Sequence, residues 1–205
     1  MRVVITGGAG FIGANLTRTL LSSGATTAVV ALDDFSSGFR QNLSGIEGVE
    51  LIEGSILDPP TLDQAFAGAD AVVHLAARSS VPVSVAEPIA AHTVNTTGTA
   101  EVLEAVRRAG GPHLIVASSS SVYGANPAIP KREDLAPQPM SPYAASKLAT
   151  EAYSLAWASV YELDVLAFRF FNVFGPLQPP RHAYAAVVPA FISALTQDQP
   201  LPIHG

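Results

Sequence analysis

Two short stretches of the chain bring together residue types that can move a proton. Ser118-Ser-Ser-Ser-Val-Tyr-Gly124 supplies a run of hydroxyls, and Tyr143-Ala-Ala-Ser-Lys147 sets a phenol and an ammonium four residues apart. On a helix those two positions lie one turn apart on one face, so the Lys147 charge comes near the Tyr143 hydroxyl. A tyrosine normally titrates near pH 10, and each unit of depression corresponds to about 1.4 kcal/mol. A neighbouring ammonium favours the phenolate, and a phenol tuned toward neutrality serves as a general base at a substrate hydroxyl. Ser119 is expected to hydrogen-bond the same hydroxyl and orient it. A Tyr-x-x-x-Lys spacing and a serine run are each common by chance, so their weight depends on the company they keep.

That company begins at Gly7-Gly-Ala-Gly10-Phe-Ile-Gly13, between an apolar run and a helical pattern at the start of the chain. Gly7, Gly10 and Gly13 permit a tight turn, close approach of backbone to a pyrophosphate, and close packing of helix on sheet. A helix starting at Phe11 and Ile12 offers free N–H groups and a positive dipole end. The second apolar run ends in Leu32-Asp33-Asp34-Phe-Ser-Ser-Gly38, about 20 residues past the glycines, where a carboxylate accepts hydrogen bonds from an adenosine ribose. Asp33 therefore favours NAD over NADP: a 2′-phosphate would meet like charge, and Arg40 is the nearest cation to offset it. Asp34, Ser36, Ser37 and Gly38 are candidates for contact at the same end, although turn chemistry explains Asp34 and Ser36 equally well. The positive ring of a bound nicotinamide would add to Lys147 in drawing down the Tyr143 proton, and Lys147 would also reach the nicotinamide ribose.

The elements that must position these residues are legible as an alternation of short β-branched or apolar runs with longer helical patterns, the order of βαβ units wound into a parallel sheet. Strands are expected over residues 3–6, 28–32, 50–53, 71–75, 114–118 and 165–170. Apolar positions at three- and four-residue spacing predict helices over 10–23, 59–67, 87–109 and 142–161, with Pro88 acceptable only in a first turn. A further helical pattern covers 185–197, with an apolar face expected to be exposed. Residues 127–142, rich in proline and charge, read as a surface loop. The expected fold class is α/β, a Rossmann-type doubly wound parallel sheet with helices on both faces. Residues 1–178 would form an NAD-binding domain and 179–205 the beginning of a substrate-binding region.

A chain of 205 residues with 48% apolar content and a mean hydropathy of +0.32 can bury the core of one such domain. The net charge of −6 and the absence of a basic block argue against nucleic acid or an anionic membrane as partner. With no cysteine, neither a disulfide framework nor a thiolate zinc site can form, which suits a reducing cytoplasm. His74, His92, His113, His182 and His204 lack the clustered spacing of a metal hydrolase, and no metal is expected. The start of the chain has no signal-peptide pattern and no apolar run reaches the length of a membrane span, so a cytoplasmic placement is expected.

Together the motifs resemble the extended short-chain dehydrogenase/reductases, specifically the NAD-dependent epimerase/dehydratase family and within it the UDP-glucose (UDP-galactose) 4-epimerase group. The resemblance covers essentially the whole chain. It rests on the glycine motif, Leu32-Asp33-Asp34, His74-Leu-Ala-Ala77, Asn95-Thr-Thr-Gly-Thr99, Ser118 to Gly124, Ser141 to Lys147, and Arg169-Phe-Phe-Asn-Val-Phe-Gly-Pro176, in that order. It implies that Ser119 and Tyr143 handle the proton of a sugar 4-hydroxyl, that Lys147 holds the nicotinamide ribose, and that Asn172 contacts a substrate phosphate. Ser55, Ile56, Leu75, Ala76, Ala77, Asn95, Ser118 and Phe170 would line bound NAD. Ser79, Ser120, Val188 and His204 would lie toward a UDP-linked sugar. The implied cycle oxidises the sugar at C4, reorients the 4-keto sugar, and returns hydride to the opposite face.

Dehydratases of similar sequence carry Asp-Glu directly after the catalytic hydroxyl residue. This chain has Ser120 and Ser121 there, which ranks epimerisation above dehydration. UDP-glucuronate 4-epimerases and decarboxylases are close alternatives. Gly54-Ser55-Ile56 lacks an aspartate that the family often sets against adenine, and Val81-Pro-Val-Ser84 lacks an arginine on the diphosphate side. His204 stands where the family usually has an aromatic stacked on the base. Resembling proteins continue past Gly205 into a small domain that closes over the nucleotide-sugar, and often form homodimers through the Tyr143 helix and the helix before it. The rival from another class is a non-catalytic dinucleotide-binding module.

Overall fold

The computed structural model describes residues 1–178 and 187–201. Six strands, β1 (Arg2–Thr6), β2 (Ala28–Asp33), β3 (Val49–Glu53), β4 (Ala71–His74), β5 (His113–Ser119) and β6 (Val165–Phe170), pair in parallel in the order β3-β2-β1-β4-β5-β6. This is the Rossmann order. The chain winds outward from β1 to β3 and then crosses to β4, so a crevice opens beyond the carboxyl ends of β1 and β4, the place where open α/β sheets bind ligands. Thr6 and His74 are level with each other at that point.

Between the strands run α1 (Phe11–Ser22), α2 (Pro59–Phe66), the short α3 (Val81–Ala86) and α4 (Pro88–His92), α5 (Gly98–Arg108) and α6 (Pro142–Tyr161); α7 (Val187–Thr196) follows β6. Alternation along β1 shows why helices cover both faces. Val4, with Val30, Leu32, Val72, Leu114 and Val116, packs on Leu62 and Phe66 of α2 and on Val102, Leu103 and Val106 of α5. Val3 and Ile5, with Val29 and Val73, face the opposite way onto Leu16, Leu20 and Leu21 of α1. Each such side chain, fully buried, contributes about 1.5–3 kcal/mol. The outer edge differs. On the α1 side of β6, Leu166 and Phe168 stay 44% and 42% exposed, and α7 buries no residue.

The structure departs from the sequence expectation most clearly over residues 87–109. The single helix expected there is α4, a π-helical turn over Thr93–Thr97, and α5. The Asn95 carbonyl accepts the Thr99 hydroxyl at 2.5 Å and the Thr150 hydroxyl at 3.0 Å, and such side-chain donors compete with the helical ladder. A π turn in an α-helix is a frequent mark of functional sites. Gly98 lets this turn press on Ile56, since a Cβ there would lie 2.6 Å from the Ile56 side chain. Elsewhere β4 stops at His74 rather than Leu75, β5 extends through Ser119, and Arg40–Leu43 and Ser120–Tyr123 form unexpected 3-10 turns. Helix α6 has the expected bounds for local reasons. The Ser141 hydroxyl caps it by accepting the Ala144 N–H at 3.1 Å, Pro142 opens it, and Glu162 ends it in the left-handed conformation.

Candidate active site

The glycine-rich turn between β1 and α1 is shaped by close backbone approach. Gly7 has φ +71°, and a Cβ on it would lie 2.8 Å from the Ala76 nitrogen; a Cβ on Gly13 would lie 2.3 Å from the Gly7 carbonyl oxygen. Gly10 precedes α1 without a side-chain cap, and the first turn of the helix holds no acidic residue. The N–H groups of Phe11, Ile12 and Gly13 therefore form an uncapped positive helix end. A crevice floor that admits no Cβ, beside such an end, fits a dinucleotide pyrophosphate.

Asp33 lies at the end of β2 beside this turn. Its carboxylate accepts the Ala9 N–H at 2.8 Å and the Phe35 N–H at 2.9 Å, and Gly38 packs so closely that a Cβ would lie 2.8 Å from it. Burial pushes the Asp33 carboxyl up, backbone hydrogen bonds from Phe35 and Ala9 oppose that, and Asp34 raises it further. Asp33 thus ties the glycine turn to the loop after β2. Asp34, Ser36 and Ser37 are exposed around it. Asp34 accepts the Ser36 N–H at 2.9 Å, which is the turn chemistry the sequence also allowed. Ser55 is half-buried, its hydroxyl accepting the Leu57 N–H at 3.1 Å, and Ile56 is buried.

Across the crevice the ends of β5 and α6 bring Ser119, Tyr143 and Lys147 together. Tyr143 sits in the first turn of α6, its N–H donating to the Ser84 hydroxyl of α3 at 3.0 Å. Lys147, one turn on, is 6% exposed and donates to the Ala117 carbonyl at 2.9 Å; burial draws its ammonium down to about 8. Ser119 ends β5, two residues past Ala117. Burial pushes the Tyr143 phenol up, opposed by the hydrogen bond from Ser119. Loss of water outweighs that bond, and the Lys147 ammonium is directed at the Ala117 carbonyl.

Buried polar groups connect the two sides. His74 Nδ1 is 2.7 Å from the Thr6 hydroxyl and its Nε2 is 3.2 Å from the Thr99 hydroxyl. Since Thr99 donates its proton to Asn95, its oxygen accepts from Nε2–H, and Nδ1 accepts from Thr6. His74 is thus a packed neutral residue, held down to about 3 by burial and by Lys147. The Asn95 side chain accepts the Arg78 N–H at 2.8 Å and donates to the Ser146 hydroxyl at 2.9 Å, pinning the loop after β4 to α6. Leu75, Ala76 and Ala77 are half-buried along that loop, Ser79 is exposed, and Ser80 takes a strained φ of +92°.

Glu151, one further turn along α6, is a residue the motifs did not single out. It accepts the Ser118 hydroxyl at 2.9 Å and both arms of Arg169, at 3.0 and 2.6 Å. Arg169 holds the Glu151 carboxyl below its ordinary range. The i, i+4 spacing of Glu151 from Lys147, on the buried face of a helix, was the available signal. Glu151 thus anchors Ser118 of β5 to α6. Phe170 is level with Ser119 across β5 and β6, Ser120 is half-buried, Asn172 is exposed, Val188 of α7 is half-buried, and His204 lies outside the described residues. Among the described residues no cluster of His, Asp or Glu could hold a metal ion, and no helix is long and apolar enough to cross a membrane.

The family model described as NAD dependent epimerase/dehydratase matches residues 3–205. The UDP-glucose 4-epimerase of Mycolicibacterium smegmatis is 41% identical over 210 residues, covering 100% of this chain and 66% of that protein. Among solved structures, the UDP-glucose 4-epimerase of Thermotoga maritima with UDP-glucose superposes with a TM-score of 0.93 at 34% identity, covering 100% of this chain and 66% of that one. The dTDP-glucose 4,6-dehydratase of Streptomyces venezuelae with NAD bound gives 0.89 at 33% identity, covering 100% and 65%. The chain spans about two thirds of the length of these relatives. With its sheet order, glycine cradle and Ser-Tyr-Lys cluster, the chain belongs to the NAD-dependent epimerase/dehydratase family.

Proposed function

We propose that the chain carries the cofactor-binding and proton-transfer half of a nucleotide-sugar epimerase acting at C4 of a UDP-linked hexose of the UDP-glucose/UDP-galactose type. The observation that carries this reading is the convergence of Ser119, Tyr143 and Lys147 at the carboxyl end of β5, facing the glycine cradle. NAD held in that cradle supplies the acceptor and donor of hydride at the sugar carbon. Tyr143 takes the proton of the sugar 4-hydroxyl and hands it back, and Ser119 orients that hydroxyl. Lys147, mostly protonated at pH 7 with its value near 8, has donor hydrogens beyond the one on Ala117 for the ribose.

Ser120 and Ser121 offer no carboxyl group as acid and base for loss of water, which favours epimerisation over the dehydration carried out by other relatives. Residues 1–178 are read as the NAD-binding domain and 179–205 as the start of the sugar-binding region, with Asn172 and Val188 beside it. A homodimer through α6 belongs to the same reading, because Ala145 and Ala152 face outward while Ala144 packs inward.

The test is conversion of UDP-galactose to UDP-glucose by the protein with added NAD, followed by NMR. Tyr143→Phe is expected to lower turnover by about 10²–10⁴-fold while NAD binding persists. Equal loss of both would remove Tyr143 from the role of base, and NAD binding without turnover by the parent protein would favour the non-catalytic binding module.

A further inference from the structure

We propose that Glu53 is a positioning residue for cofactor choice: its carboxylate holds the Arg40 guanidinium and thereby denies it to the 2′-phosphate of NADP. The inference goes beyond the epimerase reading and depends only on Asp33 being the carboxylate at the adenosine ribose.

Arg40 is the one cation in the segment 33–56, which also carries Asp33, Asp34, Glu47, Glu50 and Glu53. Its place beside the glycine cradle is fixed by backbone. The Phe39 N–H and the Asn42 side-chain amide both donate to the Ala9 carbonyl of the glycine turn, at 3.1 and 2.8 Å. The Asn42 N–H closes the turn around Arg40 by donating to the Phe39 carbonyl at 2.9 Å. An arginine at this end of the cradle is the group that accommodates a 2′-phosphate in NADP sites, because its planar fork can meet phosphate oxygens with two parallel donors.

In this chain the guanidinium is engaged on two sides. One terminal nitrogen donates to the Glu53 carboxylate, and the flat face lies over the Phe35 ring, 4.3 Å from its centroid. Both contacts are built on Asp33. Asp33 and Glu53 are register partners at the ends of β2 and β3, which puts their side chains on one face of the sheet, and the Gly54 N–H donates to the Asp33 carbonyl at 3.0 Å. Phe35 takes a left-handed φ of +57° with its N–H on the Asp33 carboxylate at 2.9 Å. The carboxylate assigned to the ribose thus also fixes the backbone that carries the ring beneath Arg40. A 2′-phosphate would have to draw Arg40 away from Glu53 while meeting the charges of Asp33 and Asp34. Glu53→Gln keeps the size of the side chain and removes its charge, leaving Arg40 over Phe35 with its own charge uncompensated. The Arg40 and Glu53 side chains are 59% and 61% exposed, so the effect expected is modest and falls with ionic strength.

The experiment is fluorescence titration of the protein with NADH and with NADPH at low ionic strength, read as the ratio of the two dissociation constants. Glu53→Gln is expected to lower the preference for NADH by about two- to fivefold, the scale of an exposed ion pair, through tighter binding of NADPH, and the gain should fade at high salt. In an Arg40→Ala background the same exchange should bring no gain, because Glu53 acts through Arg40. An unchanged ratio in Glu53→Gln, or an equal gain without Arg40, would overturn the proposal. Asp33→Asn tests the premise separately. Weaker NADH binding in that variant, with no change of ratio in Glu53→Gln, removes Glu53 alone, whereas NADH binding unmoved by Asp33→Asn removes the ribose assignment and the proposal with it. Binding needs no turnover, so these outcomes are independent of whether the protein converts a sugar nucleotide.

Discussion

The two flanks of the crevice are built to different tolerances. Around β1, the glycine turn, Asp33 and α1 fit backbone against backbone, and side chains of the sheet are covered on both faces. Around β6, one face of the sheet is open, with Leu166 and Phe168 half-exposed, and Phe171 and Phe174 stand at 59% and 66% exposure in the segment that follows. The first flank is the one a cofactor would occupy, and its shape is set by backbone contacts within the protein. The second is the one a sugar would approach, and its apolar groups lack cover among the described residues. Close backbone packing is thus concentrated on the flank proposed for the cofactor.

The largest expected effect breaks the tight flank. A Cβ on Gly13 would meet the Gly7 oxygen at 2.3 Å and the Gly8 Cα at 2.8 Å. These are backbone atoms that cannot rotate aside, so Gly13→Ala is expected to cost about 3 kcal/mol or more and to abolish NAD binding. Gly175, on the open flank, is the control. Its Cβ would meet only the Phe11 ring, at 3.5 Å, and Gly175→Ala is expected to stay within about 0.5 kcal/mol. Urea denaturation of the two variants measures the difference. Equal costs would mean that the flanks do not differ in tolerance.

The same contrast marks what the sequence disclosed. The strands, the glycine turn and the Ser-Tyr-Lys cluster rest on local signals: period-two runs, glycines at fixed offsets, an i, i+4 pair. Their elements are where the patterns place them, and Pro142–Tyr161 agrees at both ends because its caps are encoded locally. The π turn at Thr93–Thr97 was not legible, because its cause includes the Thr150 hydroxyl bonding to Asn95 across 55 positions of sequence. Glu151 escaped for a related reason. It serves other protein groups, and the partners of a buried carboxylate are known only once strands and helix are assembled. For Tyr143, spacing reports the neighbouring charge of Lys147 and says nothing of the burial that pushes the phenol up.

The next effect, smaller and opposite in sign, is at Lys147. Its folded value of about 8 lies below the usual 10.5, so between these values the unfolded chain binds more protons than the folded one and stability rises with pH across that window. Below about 8 the full cost of burying the ammonium is present, at most about 3 kcal/mol from 1.36 kcal/mol per unit, reduced by the bond to Ala117. Lys147→Met is expected to stabilise the fold by about 1–3 kcal/mol at neutral pH, to flatten the rise toward pH 10, and to remove turnover. Denaturation midpoints at neutral and alkaline pH decide it. A variant less stable than the parent at neutral pH would mean that the buried lysine carries no cost.

The smallest effect is expected on the open flank, at Phe168. Its ring stacks on Phe170 with centroids 5.7 Å apart, a contact of about 0.5–1.5 kcal/mol where fully formed. At 42% exposure on an edge strand, much of its apolar area remains in water in the folded state. Threonine, being β-branched, suits a strand as an aromatic residue does. Phe168→Thr is therefore expected to change stability by about 0.5 kcal/mol or less, while light scattering at high concentration falls, because an apolar edge is a site of self-association. The same exchange at Ile5, fully buried between β1 and α1, would cost several-fold more, since it places a hydroxyl in a site without water. If Phe168→Thr instead cost about 2 kcal/mol or more, on the scale of a buried side chain, the face would have to be covered in solution, and its openness would belong to a partner surface rather than to the protein's own edge.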